Sequence, residues 1–99
     1  MILKKRKLLT VVIEASLAHR LEDALIECGA KGFTSGLAHG TGPKHNRISD
    51  IEGGNVRIET VVSEEVLEKV LEKLKNDYFP HYAVSCWVSD VEVVRDDRY

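Results

Sequence analysis

The stretch from His39 to Gly54 holds the residue types best suited to binding an anion. It reads His-Gly-Thr-Gly-Pro-Lys-His-Asn-Arg-Ile-Ser-Asp-Ile-Glu-Gly-Gly. Gly40 and Gly42 allow backbone amides to approach a ligand closely, and Lys44 and Arg47 supply positive charge. A connection this long, with no periodicity of its own, is usually functional or disordered. We interpret it as a loop that orders around an anion, with a plain flexible connection as the alternative.

Four histidines raise the possibility of a metal site. His39 and His45 lie in this loop, His81 precedes the last predicted strand, and His19 lies on a predicted helix. No pair has the i, i+4 helical spacing or the cysteine partner typical of a zinc site. We therefore expect no resident metal. The alternative function is a trimeric divalent-metal-binding protein that uses His39, His45 or His81. The CutA-type divalent-cation proteins share the fold that is predicted below.

Composition narrows the class of protein. The 99 residues are 43% hydrophobic and 30% charged, which is an ordinary globular balance for a single domain covering residues 1–99. The formal net charge of −2 gives no general attraction to nucleic acid. An RNA-recognition domain would also need stacking aromatic residues on its central strands, and residues 8–13 and 55–62 contain none. No segment is long and apolar enough to span a bilayer, so we expect a cytoplasmic protein.

The sequence does not favour catalysis. An acylphosphatase-like enzyme would need a phosphate cradle and an arginine directly after the first strand, where this chain has Glu14-Ala15-Ser16. No residues resemble a paired nucleophile and base. Cys28 and Cys86 fall within a helical and a strand pattern, which is typical of small core residues. We therefore predict that the protein is not an enzyme.

The elements that must position the loop form two similar halves. In the first half, residues 8–13 predict a buried strand, Ser16 is expected to cap a helix over residues 17–28, and residues 32–37 predict a second strand. Leu17, Leu21, Leu25 and Cys28 share one helical face. Gly29 follows, where a left-handed C-terminal residue is favoured. The basic run over residues 4–7 is interpreted as a solvated flank.

The second half repeats this plan with a strand over residues 55–62, a cap at Ser63, a helix to about residue 75, and a strand over residues 82–94. The second helix has a predicted buried stripe made of Val66, Leu67, Val70, Leu71 and Leu74. Two βαβ units joined by right-handed crossovers predict a ferredoxin-like βαββαβ fold, an α/β (α+β) architecture with both helices on one sheet face. The other face would be bare in a monomer, and Trp87, Val61 and their neighbours could cover it in an oligomer.

Several short motifs resemble the PII signal-transduction proteins, and the likeness extends from Lys7 to Arg95. Gly29-Ala30-Lys31-Gly32-Phe33-Thr34, His39-Gly40-Thr41-Gly42 and Asn55-Val56-Arg57-Ile58-Glu59 stand in the order and spacing of that superfamily. Ser49-Asp50-Ile51-Glu52 and Tyr78-Phe79-Pro80-His81-Tyr82-Ala83 are similar to the PII-like regulators linked to bicarbonate uptake and carboxysomes. The segment of about residues 39–54 corresponds to the family's long T-loop.

The resemblance implies a homotrimeric regulatory protein that binds adenine nucleotides in clefts between subunits. The T-loop would bind a partner according to the ligand that is present. That partner, such as a bicarbonate transporter or a carboxysome-associated protein, would recruit the protein to the membrane or the carboxysome. The implied nucleotide-binding residues are Thr34, Ser35, Gly40, Gly42, Arg57, Glu59, Thr60, Val61, Tyr82 and Arg95. The implied T-loop residues for bicarbonate or another anion are Lys44, His45, Asn46 and Arg47.

The chain also departs from typical family members. They carry a glycine-rich loop ending in lysine before the last strand, whereas residues 76–82 contain no glycine and Tyr82 stands at about the place of the lysine. This difference favours ADP, AMP or cyclic AMP over ATP. Lys44 stands at about the place of a glutamine that holds 2-oxoglutarate, so 2-oxoglutarate sensing is not expected. Residues 39–54 contain no tyrosine, so uridylylation there is not expected. No cofactor is expected beyond these ligands.

Overall fold

A computed structural model of the chain describes residues 1–40 and 54–99. Its elements follow the predicted order of strand, helix, strand, strand, helix and strand. The bounds are β1 Lys4–Glu14, α1 Ala15–Cys28, β2 Thr34–Ala38, β3 Asn55–Val62, α2 Glu64–Asp77 and β4 Ser85–Val93, followed by one 3₁₀ turn at Asp96–Arg98. Of the predicted T-loop, residues 41–53 lie outside the described residues.

The four strands form one antiparallel sheet in the order β2-β3-β1-β4. β1 is therefore central, and its Leu9 lies opposite Thr60 on one side and Val88 on the other. This strand order, with a helix between β1 and β2 and another between β3 and β4, is the ferredoxin-like arrangement, so the predicted fold class is confirmed.

The hydrophobic core lies between the helices and one sheet face. From β1 it takes Leu9, Val11 and Ile13, each at most 1% exposed. Both predicted helical stripes are confirmed, because their members are either buried in this core or packed against its edge. The buried members are Leu21, Leu25, Leu67, Val70 and Leu74, and the half-buried ones are Leu17, Cys28, Val66 and Leu71. Alternate β1 residues point to the opposite surface, which we call the open face.

The helix termini confirm two of the three sequence predictions. Ser63 caps α2, because its Oγ accepts a hydrogen bond from the Val66 backbone N–H at 3.2 Å. Gly29 ends α1 with φ of 113°, as predicted for a left-handed residue. The prediction that Ser16 caps α1 is wrong. Glu14 occupies the N-cap position, and the Ser16 hydroxyl lies inside the helix and donates to Glu14 Oε2 at 2.9 Å.

Three strand boundaries differ from the sequence prediction. β1 begins at Lys4, so the basic run is part of a strand that pairs with β4 rather than a flank, although Lys4 and Lys5 are exposed to solvent as predicted. β4 begins at Ser85 rather than residue 82, because the Tyr82 N–H donates to Tyr78 O at 2.9 Å and closes a turn there. β2 begins at Thr34 rather than residue 32.

Candidate functional site

The described ends of the predicted T-loop meet at one end of the sheet, which we call the loop root (residues 38–40 and 54–55). Ala38 lies opposite Asn55, and Asn55 lies opposite Glu14. The Ala15 N–H at the start of α1 donates to Gly54 O at 2.9 Å, and Gly54 has φ of 68°, a value that favours glycine. The strand pairing and this hydrogen bond therefore fix where the loop leaves and rejoins the sheet.

Only Gly40 of the predicted loop ligands can be placed. A Cβ atom added to Gly40 would meet no atom within 4 Å, so there is free space in the direction in which a side chain would extend. Gly40 itself is half-buried. The remaining predicted loop ligands, Gly42, Lys44, His45, Asn46 and Arg47, lie outside the described residues.

Four of the predicted nucleotide-binding residues share the open face. Arg57, Glu59 and Val61 alternate along β3, and Thr34 lies opposite Glu59 on β2. Thr10 lies opposite Glu59 on β1, and the hydroxyl of Thr10 donates to Glu59 Oε2 at 3.4 Å. This patch combines a carboxylate acceptor, hydroxyl groups and guanidinium donors on a rigid sheet, which suits a polar ligand or a polar contact with another chain.

The guanidinium of Arg57 is held from two sides. Its Nη2 lies 3.5 Å from Glu59 Oε2, and its Cζ lies 5.8 Å from the centre of the Trp87 ring. A cation over an indole ring at this distance is attracted by the electron-rich ring face. These contacts orient Arg57 on the open face and leave other N–H donors of its five for a further acceptor.

Two predicted residues face away from this patch. The Thr60 side chain is buried on the helix side of β3, and its hydroxyl donates to Gly32 O at 2.7 Å. Ser35 lies opposite Ile58, a core residue, so Ser35 also belongs to the helix side. Within one chain, Thr60 therefore has a structural role in joining β3 to the segment before β2.

Tyr82 and Arg95 lie in two further places. Tyr82 is half-buried, and its ring centre lies 6.3 Å from that of Tyr78. Arg95 follows β4 and lines a groove of about 350 Å³ together with Arg98 and Tyr99. Because β4 ends opposite the start of β1, this groove lies at the far end of the sheet from the loop root. The 11 residues of β1 separate the two ends by about 33 Å.

A larger groove of about 730 Å³ lies at the same end as Arg95 and was not anticipated from the sequence. It is lined by Lys5, Arg6, Lys7, Ser63, Glu64, Asp90, Val91 and Glu92. The Lys7 ammonium donates to the Asp90 carboxylate and lies 3.7 Å from Glu64 Oε1. The hydrogen bond with Lys7 lowers the pKa of Asp90, and the same bond raises the pKa of Lys7. With both signs of charge present, this groove shows no preference for anions.

The described residues give no support to a metal site. Across residues 1–40 and 54–99, no group of three His, Cys, Asp or Glu side chains could hold a metal ion. His39 is exposed, and the His81 ring contacts the edge of Tyr82 at 6.1 Å between ring centres. His45 lies outside these ranges. In the same part of the chain, no helix has both the length and the hydrophobicity needed to cross a membrane.

Comparison with known proteins identifies the family. The sequence profile of the nitrogen regulatory protein P-II family matches residues 6–98. The chain belongs to the nitrogen regulatory protein P-II family. No curated protein matches this P-II chain. A solved structure described as a PII-like signalling protein, from Thermus thermophilus, is 44% identical, covers all of this chain and 99% of its own, and superposes with a TM-score of 0.85.

Other solved P-II structures contain ligands. CPII from Thiomonas intermedia K12, bound to ADP and bicarbonate, is 25% identical, with 98% of this chain and 96% of that chain covered and a TM-score of 0.87. A second CPII structure, bound to ADP, AMP and bicarbonate, is 22% identical, with 99% and 100% covered and a TM-score of 0.80. The predicted PII superfamily is therefore confirmed, and the second CPII comparison supports the fold alone.

The sequence analysis named Trp87 only as an oligomer contact and Asn55 only within a motif, and it assigned neither these two residues nor Thr10 to the ligand site of this P-II chain. Thr10 and Trp87 join the open-face patch, and Asn55 lies at the loop root. The alternation of β-strand residues places Trp87 on one face, but only the register of three strands shows that it reaches Arg57. Residues 10–12 and 60–62 both read Thr-Val-Val, yet the Thr10 side chain lies on the open face and the Thr60 side chain lies in the core.

Proposed function

We propose that this protein is a PII-like regulator that binds ADP or AMP, together with bicarbonate, in clefts between the subunits of a homotrimer. The observation that carries the proposal is the distance between the predicted nucleotide ligands. Thr34, Arg57 and Glu59 share the open face, whereas Arg95 lies past the far end of the sheet. A ligand that contacts both groups needs surfaces from two copies, which is the arrangement that the family resemblance implies.

The open face also favours association. It carries Leu8, Val12, Val61, Trp87 and Val91 beside the polar patch, and Trp87 is 45% exposed. A sheet with helices on one side leaves its second face to water unless another chain covers it. A second copy would remove this apolar area from water, and the Arg57–Glu59 pair would give the contact a defined orientation. We therefore propose that the open faces meet within the trimer.

The choice of ligand follows from this chain's own residues. Tyr82 is half-buried against the core and offers no positive charge to a third phosphate, which favours ADP, AMP or cyclic AMP over ATP. The CPII structure bound to ADP and bicarbonate supports the ADP and bicarbonate parts of the proposal. Lys44, His45, Asn46 and Arg47 are proposed to bind bicarbonate or phosphate from the T-loop.

The proposed role is regulatory rather than enzymatic. Ligand binding would order the T-loop of about residues 39–54 and so change which partner can dock. We propose that the chain is one domain over residues 1–99 and acts in the cytoplasm on inorganic-carbon metabolism. Its proposed partner is a bicarbonate transporter or a carboxysome-associated protein, which would recruit it to the membrane or the carboxysome.

Thermal unfolding with AMP, ADP, ATP and cyclic AMP, each with and without bicarbonate, tests the proposal. A ligand that binds only the folded state at about 100 times its dissociation constant adds about 2.7 kcal/mol, which shifts the melting temperature measurably. We expect ADP or AMP to raise the melting temperature and bicarbonate to raise it further. If no nucleotide changes the melting temperature, the proposed cleft does not bind nucleotides, and metals would be tested next.

The assignment of Arg95 has its own test. We expect Arg95→Ala to weaken binding most for nucleotides that carry more phosphates, because the guanidinium would pair with phosphate oxygens. Isothermal titration with adenosine, AMP and ADP measures this difference. Lys69→Ala removes one positive charge from the exposed side of α2 and serves as the matched control. Equal losses for adenosine and ADP would show that Arg95 does not contact phosphate.

A further inference from the structure

Asn55 is the most unusual polar residue at the loop root. It opens β3, is 1% exposed, and lies between Ala38 on one neighbouring strand and Glu14 on the other. Neither its amide nitrogen nor its amide oxygen has a hydrogen-bond partner in the described part of the chain. A carboxamide can donate two hydrogen bonds and accept two, so the whole polar end of this buried side chain is unpaired.

The groups around Asn55 are engaged with one another instead. Glu14, directly opposite in the β1 register, accepts the Ser16 hydroxyl at 2.9 Å. Gly54 O, from the preceding residue, accepts the Ala15 N–H at 2.9 Å. An apolar side chain of the same shape would avoid this desolvation, because a buried donor or acceptor without a partner destabilises the folded state. A buried amide without a partner among the described residues is rare in native folds and points to a functional role.

We infer that Asn55, whose amide has no partner among residues 1–40 and 54–99, is a positioning residue that pairs with the backbone of residues 39–40 when a ligand binds at the loop root. Residues 39 and 40 follow Ala38, which lies directly opposite Asn55, and no atom would obstruct a Cβ at Gly40. The backbone there can therefore turn towards the carboxamide. Pairing would fix the Gly40 amide for an oxyanion of the ligand, either nucleotide phosphate or bicarbonate. The inference rests on the proposed function.

A substitution with opposite effects on stability and binding tests this role. Asn55→Leu keeps the number and branching of side-chain heavy atoms and removes both polar groups. We expect it to raise the melting temperature of the ligand-free protein by about 4–8 °C, the shift that 1 kcal/mol gives in a domain of this size. We expect the same variant to bind ADP at least about tenfold more weakly by isothermal titration, because the paired state is lost. A loss of stability would show that the amide is already paired.

The matched control is Tyr78→Phe, which removes the hydroxyl of Tyr78, another buried polar group without a partner in the described chain. We expect it to raise the melting temperature and leave ADP affinity unchanged, since it lies in the core. Titrations with adenosine, with ADP, and with ADP plus bicarbonate distinguish the two sources of the oxyanion. If the oxyanion is the nucleotide phosphate, Asn55→Leu weakens the binding of ADP alone. If it is bicarbonate, Asn55→Leu weakens binding only when bicarbonate is present. An equal loss for adenosine would refute a role in oxyanion binding.

The remaining outcomes are decisive as well. Wild-type affinity for ADP and for ADP with bicarbonate in Asn55→Leu would overturn the inference while leaving the proposed function intact. No nucleotide or bicarbonate binding by the wild type would overturn the proposed function and, with it, this inference. If Asn55→Leu does not fold, Asn55→Val takes its place, because valine is smaller, favours strands and lacks the same polar groups.

Discussion

Tyr78→Phe is the sharpest stability test that the structure offers. The Tyr78 side chain at the C-terminal end of α2 is completely buried, and its hydroxyl has no hydrogen-bond partner among the described residues. The ring itself is well packed, with the Arg20 guanidinium carbon 5.3 Å from its centre and the Tyr82 ring at 6.3 Å. Phenylalanine keeps the ring and these contacts and removes only the unpaired oxygen.

The expected magnitude follows from the energetics of an unpaired hydroxyl. Burying a polar group without a partner costs about 1–3 kcal/mol, and truncating one oxygen leaves only a small gap in the packing. We therefore expect Tyr78→Phe to increase the free energy of unfolding by about 1–2 kcal/mol at pH 7. In a domain of this size, each 1 kcal/mol corresponds to a melting-temperature shift of about 4–8 °C.

The same residue predicts a pH dependence. Burial raises the pKa of the Tyr78 hydroxyl above its ordinary value of 10.0. The pKa of Tyr78 is higher in the folded than in the unfolded protein. The contribution of the neutral hydroxyl to the free energy of unfolding is therefore fully present below about pH 10 and is lost as the pH rises through the folded pKa. The stability difference between Tyr78→Phe and the wild type should therefore be constant below about pH 10 and grow above it.

Urea unfolding followed by circular dichroism at several pH values measures both effects. Tyr99→Phe is the control, since Tyr99 is 38% exposed and its hydroxyl is not among the buried unpaired groups of the described chain. Lower stability for Tyr78→Phe at pH 7 would refute the reasoning, because it would mean that the hydroxyl makes a net favourable interaction in the folded protein.

Two further substitutions test local features of the fold. Gly29→Ala is expected to cost about 1–2 kcal/mol in unfolding free energy, because Gly29 has φ of 113° and an added Cβ would lie 3.2 Å from Val66 Cγ2. Gly32→Ala, where a Cβ would meet nothing within 4 Å, should cost much less, and equal losses would contradict this account. Ser63→Ala is expected to cost about 1 kcal/mol by removing the α2 cap, whereas Ser16→Ala should change little. A larger loss for Ser16→Ala in denaturant unfolding would mean that the capping assignment is wrong.

Much of the fold could be predicted from the sequence because its signals are local. The apolar stripes of both helices, the cap at Ser63 and the left-handed Gly29 each depend on spacing over a few residues. The errors occurred where a longer-range contact decides the outcome. Lys4 to Lys7 look like a charged flank, yet they form strand because β4 extends beside them and presents Asp90 and Glu92 opposite Lys7 and Lys5.

The candidate site was less predictable than the fold. Strand alternation correctly placed Arg57 and Glu59 on one face, but it could not show that Thr60 donates to Gly32 or that Trp87 reaches Arg57. Both contacts depend on strand register, which the local sequence does not determine. The sequence does not mark Asn55 as a site residue, because an asparagine beside a glycine pair is ordinary in a loop and only its burial makes it unusual.

The central position of β1 has a consequence for the synthesis of this protein. β1 leaves the ribosome before the other three strands of this sheet, yet its two neighbours are β3 and β4, so the side of Leu9 that faces Val88 stays uncovered until β4 has been synthesised. Contacts between residues so far apart in the chain form slowly, because the intervening chain must be closed into large loops. At least one edge of this apolar strand therefore stays unpaired until β4 has been synthesised, and an unpaired apolar strand is prone to aggregation during that interval.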